Sequence, residues 1–115
     1  MAEVVALVPD LLFGSKVEAM LAGAGHSVAL VAEPSRALEL ADEADVLVVD
    51  LAGGEIDGAT LLSGGPVRAR TLGFYSHVEP EVRDRALAGG FDQVVPRSRM
   101  NREGAELVSG LASGA

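Results

Sequence analysis

The stretch that most constrains the fold is a short apolar run enclosed by two acids. Residues 46–49 are Val-Leu-Val-Val, and they lie between Asp45 and Asp50, with Gly53 and Gly54 close behind. A continuous run rich in valine and bounded by turn residues is typical of a strand buried on both faces. Such strands belong mainly to parallel sheets that helices cover on both sides. Asp50 therefore falls at the carboxyl end of a central strand, where open α/β sheets place their binding and reaction sites.

Further strands alternate with helices along the rest of the chain. The other predicted strands cover residues 4–8, 26–31, 71–75 and 91–95, and a helix follows each strand. Proline marks the start of the second helix at Pro34 and of the fourth at Pro80, because its fixed φ suits the first turn. The third helix is predicted to be short, beginning at Asp57, and Asn101 can cap the last one.

The segment after the first strand has two open interpretations. Ser15 with Glu18 forms a capping box, but Asp10 could start the same helix earlier. Residues 11–13 read Leu-Leu-Phe and fall at the rim of the predicted crevice. They would either pack into the core or form an apolar contact surface.

This alternation predicts a single α/β domain over residues 1–115, since no linker or shift in composition divides the chain. The expected architecture is a three-layer sandwich, with a five-stranded parallel sheet between two layers of helices. Right-handed crossovers leave few topologies, and the flavodoxin-like strand order 2-1-3-4-5 is the expected one. In that order the first and third strands flank the crevice, so Asp10 and Asp50 would face each other across it.

Composition excludes several classes of function. The formal net charge is −8 and basic residues are thinly spread, which argues against nucleic-acid binding. The absence of cysteine excludes disulfides, thiolate metal sites and a cysteine nucleophile. No nucleophile elbow is present, His26 and His77 are interpreted as turn residues, and we expect no enzymatic activity. No apolar run approaches about 18 residues and no export signal is recognised, so we expect a cytoplasmic protein that does not enter a membrane.

Three segments resemble the receiver domains of bacterial two-component response regulators. Residues 50–58 read D-L-A-G-G-E-I-D-G, which is similar to the family's D-x-x-x-P-x-x-D-G with Gly54 in place of proline. Residues 85–92 read R-A-L-A-G-G-F-D and resemble the A-L-x-A-G-A-x-D ahead of the family's fifth strand. Residues 25–28, G-H-S-V, are similar to its G-Y-x-V. The resemblance covers essentially the whole chain and implies the same flavodoxin-like, receiver-like fold.

The resemblance also implies roles for individual positions. Asp50 would be the phosphoacceptor, to which a histidine kinase transfers a phosphoryl group, and Asp10 would form an acidic pocket beside it. The family's switch threonine or serine falls on Tyr75 or Ser76. The family has a lysine followed by a proline after the fifth strand. This chain has Pro96 followed by Arg97, so the order is inverted and the positive charge falls on Arg97.

The metal chemistry that the resemblance implies departs from the family's pattern. Receiver domains hold Mg²⁺ with two adjacent acids at the end of the first strand, where this chain has Val8 and Pro9. Asp10 and Asp50 would make only a weak magnesium site, because Mg²⁺ demands near-octahedral oxygen ligands. We therefore expect no required cofactor and interpret the chain as an atypical receiver, or pseudo-receiver.

The function expected is that of a stand-alone signalling or regulatory protein that acts by protein–protein interaction, with phosphorylation of Asp50 weak or absent. Its partner would be a histidine kinase or a downstream regulator. A working phosphoacceptor and a small-ligand-binding or enzymatic flavodoxin-like domain are the alternatives. Mixed charge on the fourth helix and after the fifth strand predicts a weak homodimer through the face made by the fourth helix, the fifth strand and the fifth helix.

Overall fold

Strands and helices alternate along the chain as the sequence predicts. The computed structural model describes residues 2–51, 58–65, 67–75 and 80–113. Its elements in chain order are β1 (Glu3–Leu7), α1 (Leu11–Gly23), β2 (Ser27–Val31), α2 (Pro34–Ala41), β3 (Val46–Asp50), a 3₁₀ helix η1 (Gly58–Gly64), β4 (Arg70–Tyr75), α3 (Pro80–Ala88), β5 (Gln93–Pro96) and α4 (Arg97–Ala112). None of the helices in these ranges is long and apolar enough to cross a membrane.

The strands form one parallel sheet in the order β2-β1-β3-β4-β5, which confirms the predicted flavodoxin-like topology. Strand β3 is the centre of the sheet, with β1 on one side and β4 on the other. All five of its residues are buried. The apolar run between Asp45 and Asp50 is therefore the central, doubly covered strand that its composition indicates.

Two apolar layers cover the sheet, because successive side chains of a strand point to opposite faces. One layer packs under α1 and α4 and includes Val17, Leu21, Val46, Val48, Phe74 and Met100. The other packs under α2, η1 and α3 and includes Ala37, Leu47, Val49, Leu62, Tyr75 and Ala86. The molecule is thus the predicted three-layer sandwich.

One helix start differs from the sequence prediction, one open start is resolved, and one helix is of a different type. The predicted start of the third helix, Asp57, lies outside the described residues. Helix α1 begins at Leu11 with Asp10 as its N-cap, so the capping box at Ser15 is not used. The third helical segment is a 3₁₀ helix over its described residues, so α3 and α4 are the fourth and fifth predicted helices. Helix α4 starts at Arg97 rather than after Asn101, because Pro96 takes the extended N-cap conformation and the helix begins directly after it.

Strand β5 also ends later than predicted. It runs from Gln93 to Pro96, and Pro96 pairs with Tyr75 at the edge of the sheet. Proline is tolerated there because an edge strand has one side on which no ladder donor is needed.

The segment before β5 is held by a reciprocal hydrogen-bond pair between Thr71 and Asp92. The Asp92 carboxylate accepts from the backbone N–H of Thr71 at 2.8 Å and from its hydroxyl at 3.0 Å. The Thr71 hydroxyl in turn accepts from the Asp92 backbone N–H at 2.9 Å. Gly90, with φ of +109°, makes the turn that brings Asp92 there. The A-G-G-F-D segment is therefore explained by structure, at the opposite end of the sheet from Asp50.

Helix α4 lies close to α1 at Gly104, and a second glycine of α4 provides a matched comparison. A Cβ added at Gly104 would lie 2.8 Å from Met20 Cε and 3.0 Å from Met100 Cε, whereas one at Gly110 would meet nothing within 4 Å. We expect Gly110→Ala to stabilise the protein by about 0.5 kcal/mol through helix propensity. Gly104→Ala should be the less stable of the two, by about 0.5–1 kcal/mol, because the terminal methyl groups of both methionines must shift within a packed layer.

Urea unfolding of the two variants and the wild type measures this difference. Equal stabilisation by both substitutions would mean that the α1–α4 contact is loose and that Gly104 is not needed for it.

Candidate functional site

Asp50 ends the central strand and is almost fully buried there, with 6% of its surface exposed. Side chains alternate between the faces of a strand, and Val46 and Val48 lie in the layer under α1 and α4. Asp50 therefore points to the same face. Its position at the carboxyl end of the strand, between β1 and β4, is the one that the sequence predicts for a reactive carboxylate.

Asp10, the predicted acidic-pocket residue, serves as the N-cap of α1. It has the extended conformation of a cap, and its Oδ1 accepts hydrogen bonds from the backbone N–H groups of Leu12, at 3.0 Å, and Phe13, at 3.2 Å. A helix start leaves its first N–H groups without intrahelical partners, and this carboxylate satisfies two of them. One oxygen of Asp10 is therefore committed to the helix.

Arg97 occupies the other oxygen of the same carboxylate. Its Nη2 donates to Asp10 Oδ2 at 3.4 Å, and its guanidinium carbon lies 4.0 Å from the centroid of the Phe13 ring. The ion pair contributes little by itself, since both side chains are nearly half exposed. Stacking on the aromatic ring adds a contact of about 0.5–1 kcal/mol. The structure thus brings the two predicted charged residues together, as partners of each other.

The pKa of Asp10 is lower than its ordinary value. The main cause is the hydrogen bond from the Phe13 backbone N–H. Desolvation raises the pKa in part, and the Arg97 side chain and the Leu12 N–H lower it further. Each of these donors favours the ionised carboxylate. Asp10 is therefore an anion engaged in local contacts.

The acids at this end of the sheet do not fit the magnesium site that the resemblance implies. Val8 and Pro9 carry no side-chain oxygen, and both oxygens of Asp10 accept hydrogen bonds from the chain. Mg²⁺ needs several oxygen ligands in near-octahedral geometry. Within the part of the chain that the structure describes, no group of three or more histidine, cysteine or acidic residues could hold a metal.

Phe74, which the sequence analysis did not identify, is the neighbour of Asp50 on β4. The strand register pairs the two residues, and the fully buried Phe74 ring lies in the layer under α1 and α4, the face to which Asp50 points. Tyr75, one of the two predicted switch positions, has its side chain in the opposite layer. Ser76, the other predicted switch position, lies outside the described residues. Both faces of β4 are apolar, so the hydrophobic pattern could not distinguish position 74 from position 75.

The sequence predicts that residues 11–13, at the rim of the crevice, either pack into the core or form an apolar contact surface, and the structure divides them between core and surface. Phe13 is buried and its ring lies 5.3 Å from that of Phe74, centroid to centroid. Leu11 and Leu12 are 78% and 87% exposed. The rim therefore supplies one core residue and two leucines on the surface beside the Asp10–Arg97 pair.

His26 is engaged in structural contacts. Its Nδ1 accepts a hydrogen bond from the Ala2 backbone N–H at 3.1 Å, and its Nε2 lies 3.0 Å from Ser109 Oγ. With Nδ1 accepting, the ring proton is on Nε2 and points to Ser109. The ring cannot then remove a proton from Ser109, so this pair is not a catalytic dyad.

Three cavities among the described residues have linings that do not include Asp50. One, of about 380 Å³, is lined by Leu62, Gly65, Gly90 and Asp92, and another, of about 250 Å³, lies between β2 and α2. A further cavity, of about 340 Å³, surrounds His26 and Asp45. None of the three includes Asp10, Asp50 or Arg97 among its lining residues.

The lowered pKa of Asp10 gives a prediction with a definite sign. A carboxylate whose pKa is lower in the folded state stabilises the protein above the unfolded value, and this contribution is lost as the pH falls through the folded value. The ordinary pKa of this group is 3.8. Asp10→Asn keeps a capping oxygen and removes the charge, so we expect it to be less stable than the wild type at pH 7 and the gap to narrow below pH 3.8.

Urea unfolding from pH 7 down to pH 2.5 measures the gap, and Asp84→Asn, at an exposed position of α3, serves as the control. A gap that stays constant across this range would show that the Asp10 charge is not coupled to folding.

Comparison with known proteins identifies the fold. No protein-family model matches the sequence, and no curated protein matches it. Among solved structures, the chain is similar to the receiver domain of the Francisella response regulator 1452, at 18% identity and a TM-score of 0.84, covering 99% of this chain and 98% of that one. It is also similar to the signal receiver domain of NarL from Mycobacterium tuberculosis (25% identity, TM-score 0.82, covering 99% and 98%) and to a histidine kinase receiver domain from Syntrophus aciditrophicus (20%, 0.83, covering 100% and 92%). The chain has the fold of the receiver domains of response regulators.

Proposed function

We propose that the chain is an atypical receiver domain that acts in signalling by binding another protein, with phosphoryl transfer to Asp50 weak or absent. The observation that carries this proposal is the engagement of Asp10. Its Oδ1 accepts hydrogen bonds from the start of α1 and its Oδ2 pairs with Arg97, so a metal ion beside Asp50 would have to compete with both contacts. Phosphoryl transfer depends on neutralising the charge that develops on the transferred group.

Arg97 would not replace the missing positive charge at the phosphoacceptor. Its guanidinium stacks on Phe13 and pairs with Asp10, so moving it to another anion would break both contacts. Arginine also has a planar, extended donor group, which does not substitute directly for a compact ammonium. Binding of a protein partner, rather than catalysis, is the role we propose.

One observation favours the alternative of a working phosphoacceptor. Asp50 lies at the carboxyl end of the central strand and is nearly fully buried, as a reactive carboxylate in an open α/β sheet would be. In that case a histidine kinase would be the partner, and Asp10 would have to exchange its contacts with Leu12 and Arg97 for a metal ion.

Magnesium dependence distinguishes the two functions. A ligand stabilises the folded state only as far as it binds it, and an ion present at its Kd adds about 0.4 kcal/mol. We expect Mg²⁺ at roughly 5–10 mM to change the free energy of unfolding of the wild type and of Asp50→Asn by the same small amount. A magnesium ion bound at Asp50 would instead stabilise the wild type more than the variant. We also expect beryllium fluoride with Mg²⁺ to leave the chemical shifts of residues near Asp50 unchanged.

Thermal melts of both proteins and two-dimensional NMR spectra make these measurements. The proposal fails if Mg²⁺ stabilises the wild type, Asp50→Asn abolishes that gain, and acetyl phosphate labels Asp50. Asp10 would then have taken over the metal, and the chain would be a phosphorylation switch.

The homodimer predicted from the sequence would use the face of α3, β5 and α4. Several charges of this face already pair within the chain: Arg99 lies 3.7 Å from Glu103, and Arg83 lies 3.6 Å from Asp84. A second copy would have to compete with these pairs, so the dimer should be weak and should dissociate as salt screens the charges.

Sedimentation velocity at several protein concentrations, at low and high salt, tests this association. We expect a concentration-dependent shift at low salt that added salt removes. A strict monomer at high protein concentration and low salt would exclude the dimer.

A further inference from the structure

Three side chains form a continuous stack beside Asp50. The ring of Phe74 packs against the ring of Phe13, with centroids 5.3 Å apart and planes tilted by 58°. The guanidinium of Arg97 covers the same Phe13 ring at 4.0 Å. Tilted aromatic pairs and cations over ring faces are both attractive geometries. We call this group the Arg97–Phe13–Phe74 stack.

The stack runs from the interior of the sheet to solvent. Phe74 is fully buried and Phe13 nearly so, whereas the Arg97 side chain is 44% exposed. Phe74 is the register partner of Asp50 on the neighbouring strand and shares its face. An aromatic ring therefore neighbours the carboxylate on the β4 side.

The same stack joins three elements of the fold. Phe74 lies on β4, Phe13 in the first turn of α1, and Arg97 is the first residue of α4. The Asp10–Arg97 ion pair adds a second link between α1 and α4. A change at Asp50 that passed to α4 through this stack would require the stack to adopt another packed arrangement.

We infer that the Arg97–Phe13–Phe74 stack closes the β4 side of the Asp50 site and holds α1, β4 and α4 in one arrangement, which isolates the face of α3, β5 and α4 from the chemical state of Asp50. This inference extends the proposed function, since it says why the partner would meet the same surface whatever happens at Asp50. Phe74 is a positioning residue here, acting through packing and not through chemistry.

The first test compares two neighbouring substitutions of the same kind. Phe74→Thr removes the ring from the face of Asp50, whereas Tyr75→Thr removes a buried ring from the opposite face. A water-soluble carbodiimide with an amine modifies accessible carboxyl groups, and mass spectrometry measures its rate at Asp50. Because opening of a buried site governs its reaction with a reagent in solvent, we expect Phe74→Thr to raise the rate at least about five-fold and Tyr75→Thr to leave it within about two-fold.

Asp84, whose side chain is 79% exposed, provides the internal reference for full reactivity in the same spectra. If Phe74→Thr does not fold, Phe74→Leu opens the site more mildly and is measured against Tyr75→Leu. Modification of Asp50 in the wild type as fast as Asp84, or equal rates in the two variants, would overturn the closing role of Phe74.

The second test addresses the isolation of α4. Asp50→Asn should leave the amide signals of the first turn of α4 unchanged in the wild-type background. In the Phe13→Leu background, which breaks the stack and keeps an apolar side chain, the same substitution should shift those signals. Phe91→Leu, a buried ring of the other layer, is the matched control and should behave like the wild type. Shifts in α4 already present in the wild-type background would overturn the isolation.

These outcomes separate the inference from the proposed function. Labelling of the wild type by acetyl phosphate would defeat the proposed function, whereas the carbodiimide rates would still report whether Phe74 covers Asp50. Failure of the carbodiimide test would remove the stack as the closing device and leave the absence of a metal site as the reason for weak phosphorylation.

Discussion

Burial of the central strand on both faces is the constraint on which the structure depends. Val46 to Val49 are fully buried, and each face of the strand needs its own layer of helices. This requirement places α1 and α4 on one side and α2, η1 and α3 on the other. It also delivers Asp50 to the carboxyl end of the sheet, where a polar side chain can leave the apolar layer. The position of the candidate site is therefore a consequence of how the core is covered.

At this end of the sheet, the free N–H groups of a helix start and a possible metal ion would compete for the same carboxylate, that of Asp10. A helix start leaves N–H groups that require acceptors, and Asp10 meets this requirement for α1. Because Oδ1 accepts from the helix start and Oδ2 pairs with Arg97, binding an ion would cost the carboxylate these contacts. Asp10, which the resemblance would make an acidic-pocket residue, is a helix cap in the structure.

The aromatic packing beside Asp50 leads to the same functional conclusion from different contacts. Phe74 and Phe13 extend the apolar layer under α1 and α4 up to the carboxylate, and Arg97 covers the outer ring. Packed interfaces change between discrete arrangements rather than deforming continuously. A stack that contacts three elements therefore favours a single arrangement of α1, β4 and α4, as the proposed function requires.

Short-range patterns in the sequence determined the strand order, the two helical layers and the place of Asp50, because burial period and turn chemistry are local properties. They also brought Asp10 and Arg97 to one end of the sheet, through the strands that each follows. They could not decide the start of α1, since Asp10 and Ser15 are both good caps. In the folded chain Asp10 accepts from the N–H groups of Leu12 and Phe13, and the Phe13 ring packs against Phe74. Nor could these patterns identify Phe74 as the neighbour of Asp50. Both faces of β4 are apolar, and only the pairing of β3 with β4 decides which face a given residue shares with the carboxylate.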